Sequence, residues 1–588
     1  MCWGMQPSVS IHTIIHIGLH IYIDRDQMHF DDVISELGEF GPYQKKIYFI
    51  VCIVILMLSF ETFISVFILA IPEHRCALPG LENDTYSSQG QWHDDLVNRT
   101  IPWSRENHAY SECEIFSSDI HHSANQSIVR CNRWVYNKQS FENTFVTEMN
   151  LVCDDISLRT YSNMILMAGV LVGSLTLGPL SDIIGRKKVL VIGSVLQFGC
   201  CLGTGFARSY VIFVVLRFFS SMFGIGMYLA AYVIGVELVG PGKRVFAGNV
   251  CNFFFCFGQF IMTGVAYGIR DWSHLQITLT VMGGAMLLPI FFVPESSRWL
   301  ISTGRVNEAS EIIRKVARGN KVNASENILS LEDVQLEGQG EKIWHMLKTP
   351  VLLIRCLILF FNWIVVVMTY YGLSLNVGNL SGDIYLNFCL SALTEVISSI
   401  FAFLLMDRLG RKALHCFSML LGGVACICAL FPVLYGDMES QWMTVALSHV
   451  GKFGSSASFV IIYIYSAELF PTVMRNSGMG LCSVTARIGA VLAPYISDIG
   501  LVISGDLSVV LPQLIFGGLS VVAGLLALKL PETALRALPD TVEEAKYFGR
   551  KRDRKNKYNV HRMRAVGDKE RTASVIKAIQ ESPTDVCV

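Results

Sequence analysis

What most constrains this chain is a series of long apolar runs that carry no charge, such as Val189–Leu202, Val281–Val293 and Leu514–Leu528. A hydrocarbon layer offers no hydrogen-bond partners, so a segment crossing it must satisfy its backbone internally, and about 20 apolar residues wound as a helix do so. Twelve such segments are predicted, at about 47–71, 160–181, 189–207, 211–233, 246–268, 274–293, 351–372, 384–406, 413–433, 442–465, 478–498 and 508–530. Composition agrees, with 16% of residues charged against about 25% in soluble proteins. The formal net charge of −1 leaves no global basic field, so no nucleic-acid partner is expected.

Charge alternates between the runs. Lys45 and Lys46 precede the first, and Arg186, Lys187 and Lys188 follow the second. Lys243 and Arg244 follow the fourth, Arg408, Arg411 and Lys412 the eighth, and Arg475 the tenth. The intervening loops hold little beyond Arg208 and Arg270. Basic loops stay on the cytoplasmic side, so both termini are expected there, in a multi-pass protein of the plasma membrane.

By this count segment 72–158 lies outside. It carries Cys76, Cys113, Cys131 and Cys153, an even number that fits two disulfides in an oxidising compartment, with three pairings open. Glycosylation sequons stand there at Asn83, Asn98 and Asn125; those at Asn323 and Asn379 fall in a cytoplasmic and a membrane-proximal loop and are expected to go unused. Cysteines such as Cys52, Cys256, Cys389 and Cys482 sit singly in apolar runs, as small buried hydrophobes do.

The expected organisation is an N-terminal cytoplasmic segment 1–46, a six-helix bundle 47–293 that includes the outer loop, a cytoplasmic linker 294–350, a second bundle 351–530 and a tail 531–588. Residues 1–27 are atypical: the apolar stretch Ile11–Ile23 is too short to span and lacks the features of a signal peptide, which leaves Met28 as an alternative start. The tail is basic around Lys551–Lys557, suited to anionic lipid. It ends in Val586-Cys587-Val588, the form of a PDZ-domain ligand.

The two bundles repeat each other. Asp182-Ile-Ile-Gly-Arg-Lys187 echoes Asp407-Arg-Leu-Gly-Arg-Lys412, and Glu237 before Arg244 echoes Glu468 before Arg475. Arg217-Phe-Phe-Ser-Ser221 echoes Lys452-Phe-Gly-Ser-Ser456, and Pro294-Glu-Ser296 echoes Pro531-Glu-Thr533. The offsets are 225, 231, 235 and 237 residues, in one order along the chain. Duplicated six-helix halves hold substrate near the midplane between them.

Gly178-Pro-Leu-Ser-Asp182-Ile-Ile-Gly185-Arg186-Lys187 resembles the signature loop of the major facilitator superfamily. Its organic-ion branch, solute carrier family 22, is a sharper match. The resemblance rests on Pro294-Glu-Ser-Ser-Arg298-Trp299-Leu300, Asn150-Leu-Val-Cys153-Asp154, and Ala467-Glu468-Leu-Phe-Pro471-Thr-Val-Met-Arg475-Asn476. Gly38-Glu-Phe-Gly-Pro-Tyr-Gln-Lys45 with Arg75-Cys-Ala-Leu-Pro79 looks most like invertebrate organic cation transporters. The resemblance covers about Phe30 to Thr541 and implies an all-α major facilitator fold, twelve helices in two pseudo-symmetric halves, transporting small organic ions by alternating access.

The charges divide into two sets. Asp182, Arg186, Glu237, Arg244, Asp407, Arg411, Glu468 and Arg475 sit at cytoplasmic helix ends in symmetric places, where ion pairing would form a gating latch. Inside the spans, where a charge costs about 2.5–3.5 kcal/mol, lie Glu61, Arg217, Glu395, Lys452 and Arg487. Arg217 and Lys452 are repeat-equivalent, which favours a packing or conformational role.

Glu395 and Arg487 break the symmetry and are the better substrate-binding candidates. The resemblance implies an acid at Glu395 in cation and carnitine transporters. It implies arginine at Arg487 in carnitine and anion transporters, where classical cation transporters carry aspartate. The lysine common near position 399 in anion transporters is Ser399 here. An acid with an arginine suits a zwitterion such as carnitine, unless the two simply pair with each other or with Lys452. Tyr370, Trp363, Tyr228 and Tyr232 match cavity positions of the family and would attract an ammonium group, or else pack.

No Gly-Lys-Ser/Thr phosphate loop, metal-ligand cluster or nucleophile–base motif occurs, so neither an enzyme nor a cofactor is expected. Facilitative or exchange transport of organic cations or zwitterions is the expected function. An organic anion transporter is the alternative, and a sugar porter a weaker one, since a neutral sugar needs no buried charge.

Overall fold

The computed structural model describes residues 28–549, apart from 105–108, 118–126, 324–333, 336–347, 437–439, 472–473, 502–506, 535, 537 and 540. Residues 1–27, Asn125, the basic run Lys551–Lys557 and the final Val586–Val588 lie outside the described residues.

Among the described residues, twelve helices are long and apolar enough to cross a membrane. They are α1 (Pro42–Ile68), α2 (Cys153–Ile184), α3 (Arg186–Gly205), α4 (Tyr210–Leu238), α5 (Pro241–Gly268) and α6 (Trp272–Phe292) in the first half. The second half holds α7 (Pro350–Asn379), α8 (Ile384–Leu409), α9 (Arg411–Tyr435), α10 (Gln441–Leu469), α11 (Ser477–Leu501) and α12 (Val510–Ala527). Two boundaries differ usefully from the expected spans. Helical backbone in α2 is continuous from Ile156, ahead of Arg159, because that arginine is buried and paired rather than left in a loop. A short 3-10 turn, Val377–Asn379, extends α7 over the Asn379 sequon.

Packing follows the duplication. In the first half α1 lies on α5, α2 and α3 on α4, and α3 on α6. The second half repeats each contact: α7 on α11, α8 and α9 on α10, and α9 on α12. The halves meet through α2 against α11 and α5 against α8, pairs that the same symmetry exchanges.

The repeated sequence elements converge on one cluster per half. In the first, Arg186 meets Asp182 at 2.8 Å and Glu237 at 3.9 Å, while Glu237 accepts from Ser296 Oγ and Glu295 accepts from the Lys187 amide at 3.0 Å. In the second, Arg411 meets Asp407 at 3.0 Å and Glu468 at 3.1 Å, Thr533 Oγ1 donates to Glu468 at 2.6 Å, and Glu532 accepts from the Arg411 amide at 2.9 Å. Gly185 (φ +110°) and Gly410 (φ +91°) turn the chain between the paired helices. A Cβ there would fall 2.4 Å from Glu295 and 2.7 Å from Glu532, and the positive φ disfavours any other residue. These contacts account for why Asp-x-x-Gly-Arg-Lys, the late glutamate and Pro-Glu-Ser/Thr recur together.

The loop between α1 and α2 builds a small domain of paired short strands: His74–Cys76 with Trp134–Tyr136, Trp103–Ser104 with Ala109–Tyr110, and Glu114–Phe116 with Ile128–Arg130. Disulfides Cys76–Cys131 and Cys113–Cys153 resolve the open pairing. Asn83 and Asn98 are both exposed, Asn98 on the helix Gln91–Thr100. The linker beyond α6 forms helices Ser297–Ser302 and Val306–Asn320, which pack apolar faces on the helix Phe30–Glu36. Five crossings, α2 to α6, separate the disulfide domain from the linker, so the two lie on opposite sides of the bundle, here named the disulfide face and the linker face.

An ionic triad centres the disulfide domain. Asp84 meets Arg75 at 2.7 Å and His93 at 3.0 Å, with all three side chains almost wholly buried. Burial alone would raise the Asp84 pKa, but bonds from Arg75, His93 and the Leu78 amide outweigh it and hold the carboxyl below its ordinary value. A depressed carboxyl contributes stability that is complete above the ordinary carboxylate range and is lost as pH falls through the folded-state pKa. Asp84→Ala, which leaves the Asn83 sequon intact, should destabilise the disulfide domain by about 3–5 kcal/mol, the usual result of stranding a buried partner. Protease resistance of the loop measured from pH 7 downward should fall for the wild type toward the level of the variant.

Candidate functional site

Among the described residues, the five charges expected inside the spans fall into three centres. The first is confined to one half. Arg217 of α4 donates to Ser162 at 3.1 Å and to Ser65, and Glu61 of α1 accepts from Gln276 of α6 at 3.0 Å. No carboxylate among the described residues lies within ion-pair distance of Arg217.

The second centre surrounds Glu395 of α8, which is 3% exposed. Lys452 Nζ of α10 lies 3.6 Å from its Oε2, and Tyr370 of α7 donates its hydroxyl to Oε1 at 2.8 Å. Gln259 of α5 donates to Oε2 at 3.3 Å from the opposite half. One turn nearer the linker face, Asn252 of α5 donates to Ser399 of α8 at 2.8 Å. Glu395 therefore stands at the α5–α8 seam, with groups of both halves on its two oxygens.

The third centre is Arg487 of α11, 8% exposed, whose Nε has no hydrogen-bond partner although buried. Three tyrosines lie within its electrostatic reach, Tyr371 of α7 and Tyr463 of α10 from its own half and Tyr228 of α4 from the other. Arg487 makes no ion pair with Glu395; Lys452 does. A continuous aromatic wall joins the two charges. Tyr370 stacks on Phe459 at 5.0 Å and meets Tyr371 at 5.2 Å, and Phe459 meets Tyr463 at 5.5 Å. Tyr371 lies within electrostatic reach of both Glu395 and Arg487.

The remaining candidates take varied places. Trp363 of α7 packs on Tyr463 at 4.5 Å and donates to Ser466 at 2.9 Å, so it buttresses the wall from behind. Tyr228 and Tyr232 stack on each other at 6.1 Å, with Tyr232 37% exposed. At the linker face, Asp182, Arg186 and Glu237 stay within the first half, and Asp407, Arg411 and Glu468 within the second. Arg244 pairs with Asp31 at 2.6 Å rather than with Glu237, and Arg475 Nε donates to the Ala467 carbonyl at 2.7 Å.

Sequence reasoning did not single out Gln259, Tyr371, Phe459 or Tyr463, whose types are common in membrane helices and gain meaning only across the half–half seam. It also missed Arg159 of α2 and Asp498 of α11. Arg159 meets Asp498 at 3.1 Å and donates to the Leu69 carbonyl at 2.8 Å, while Thr160 donates to Asp498 at 2.8 Å. These contacts join the halves near the disulfide face, where Phe67 of α1 also stacks on Tyr385 of α8 at 5.5 Å. A sequence signal existed in the two opposite charges at span ends, but the predicted boundaries left Arg159 one residue outside its span and Asp498 at the last position of another, which concealed it.

Comparison with known proteins fits this architecture. Residues 122–544 match the family described as "Sugar (and other) transporter". The "Organic cation transporter protein" of Drosophila melanogaster is 37% identical over 89% of this chain and 96% of its own length. The human "Organic cation/carnitine transporter 2" is 34% identical over 88% and 93%. Human "Solute carrier family 22 member 13" is 33% identical over 88% and 93%. The chain belongs to solute carrier family 22 of the major facilitator superfamily. Among solved structures, the partially occluded inward-open xylose transporter XylE of E. coli superposes with a TM-score of 0.56 at 16% identity, covering 84% of this chain and all of that one, which places the fold.

For this solute carrier the Arg159–Asp498 pair joins the halves near the disulfide face and is expected to keep that face sealed. Asp498→Ala strands a buried guanidinium, which disfavours the sealed state by about 3–5 kcal/mol. An Asn163→Cys probe, buried beneath the pair, should react faster with an impermeant thiol reagent from the disulfide face in the Asp498→Ala background. Equal rates with and without Asp498 would remove the seal from the pair.

Proposed function

We propose that this protein carries small organic cations or zwitterions of the carnitine type across the plasma membrane by alternating access, as a uniporter or exchanger. The observation supporting this reading is the separation of Glu395 and Arg487 on one aromatic wall. A carboxylate with aromatic faces beside it receives an ammonium group, each face worth about 0.5–2 kcal/mol. A guanidinium whose Nε lacks a partner offers a fork to a carboxylate. Glu395 is contacted from both halves, and Arg487 lies within electrostatic reach of Tyr228 of the first half, as suits a midplane site between rocking bundles. Tyr228 and Tyr232 close this site from the first half, and Trp363 fixes the wall. The names of the Drosophila and human relatives point to the same substrate class.

In this reading the linker face is cytoplasmic, with both termini, and the disulfide domain is extracellular with glycans at Asn83, Asn98 and Asn125. The carboxylates Asp182 and Asp407, 67% and 82% accessible although paired with Arg186 and Arg411, can also engage the opposite half when the linker face closes. That gives the symmetric charges, including Arg186, Arg411, Glu237, Glu468, Arg244 and Arg475, a gating role in the outward-facing state. Arg217 and Lys452 hold helices together within their halves. The basic run Lys551–Lys557 is suited to anionic lipid.

Radiotracer uptake in oocytes tests the substrate class, with tetraethylammonium, carnitine and an organic anion compared side by side. Glu395→Gln should abolish tetraethylammonium and carnitine uptake alike, whereas Arg487→Ala should lower carnitine uptake at least about tenfold, the loss of one charge-assisted bidentate contact, and spare tetraethylammonium. Tetraethylammonium uptake should also rise with inside-negative potential, by about 2.3 kcal/mol of driving force per 100 mV. Carnitine uptake that survives Arg487→Ala would remove the zwitterion reading.

A further inference from the structure

The Glu395 centre is already occupied. Lys452 Nζ lies 3.6 Å from Glu395 Oε2 and 3.6 Å from the centroid of the Tyr370 ring. A carboxylate and an aromatic face at those distances are what an incoming organic ammonium would seek. We infer that Lys452 is a tethered counter-cation: its ammonium fills the cation subsite of the empty carrier and gives it up to substrate. The inference rests on the proposed site at Glu395.

The physical need comes from the return step. After release, an uncompensated carboxylate would be left at Glu395, itself only 3% exposed, and a buried unpaired charge opposes any conformational change that keeps it from water. Lys452 removes that obstacle by neutralising Glu395, so the unloaded halves can rock back.

Lys452 also has somewhere to go. Its Nζ bonds to Ser374 Oγ and lies 3.4 Å from the Tyr370 carbonyl, which remain when Glu395 turns to substrate. The other half shows that such a resting place suffices. Arg217, at the repeat-equivalent position, is held by the hydroxyls of Ser162 and Ser65 and lies over the Phe213 ring at 5.2 Å, without a carboxylate at ion-pair distance among the described residues. Displacement also affects the seam. Gln259 of α5 donates to the same Oε2 that faces Lys452, so exchanging the cation there rearranges a contact between the halves.

The test separates net uptake from exchange. Oocytes expressing the full chain receive labelled tetraethylammonium, either with nothing inside or preloaded with unlabelled tetraethylammonium, and rates are normalised to surface protein. Lys452→Met should lower zero-trans uptake at least about tenfold while exchange stays near wild type. It should also lower the KM for exchange, because a tethered competitor that held the site in an incompetent form is gone. Lys452→Arg should restore zero-trans uptake. Ser374→Ala, which removes the resting partner and leaves the fold intact, should raise the KM several-fold without changing the ratio of exchange to net uptake.

Parallel loss of both modes in a surface-expressed Lys452→Met, wild-type behaviour of that variant, or an unchanged KM in Ser374→Ala would each overturn the inference. A wild-type protein that moves tetraethylammonium in neither mode would instead overturn the functional reading beneath it.

Discussion

A charge inside a hydrocarbon layer must bring its own partner, and that constraint organises this molecule. Each ionised group within the spans costs several kcal/mol unless it is paired or reaches water. The chain meets this requirement differently at each centre. Arg217 is solvated by serine hydroxyls, Glu395 is paired with Lys452, and Arg487 has tyrosines within electrostatic reach and its Nε unsatisfied. The first arrangement is closed within one half. The other two lie where the halves touch, and Arg487 retains unmet hydrogen-bonding capacity. The proposed binding groups are those whose pairing is incomplete or exchangeable.

Duplication supplies the framework on which this asymmetry becomes useful. The Asp-x-x-Gly-Arg-Lys turns, the late glutamates and the Pro-Glu-Ser/Thr elements form one staple per half, each fixing helix ends at the linker face. Rigid halves can then move against each other. Opposite them, Arg159 and Asp498 tie the halves together through a single buried pair. Of the ionic contacts described here, those within a half are several and redundant, and those between halves are few. That distribution suits bundles that move as units and break only a handful of bonds to do so.

Much of this was legible in the sequence. The twelve spans follow from charge-free runs, because the bilayer permits only internally bonded backbone. The two halves follow from four ordered matches, because symmetric staples need the same residues in both copies. Glu395 and Arg487 stood out because nothing in the repeat explained them. The pairing was not legible. Lys452 is symmetric with Arg217, so it read as structural, yet it takes Glu395 as partner while Arg217 takes serines. Nothing local distinguishes them; the difference lies in which residue the neighbouring helix presents. Tyr371, Tyr463 and Gln259 were hidden for the same reason. The disulfide pairing needed three dimensions to choose among three options, and Asp498 was obscured by lying at a helix end.

The central claim is that the cation of the substrate rests between Glu395 and Tyr370 at the seam of the halves. The most direct measurement is an experimental structure with tetraethylammonium bound. Quaternary nitrogen density is expected within about 6 Å of the Tyr370 ring, beside the Glu395 carboxylate, with Lys452 withdrawn toward Ser374. Ligand density beside Glu61 and Arg217, with the Lys452–Glu395 pair undisturbed, would contradict it.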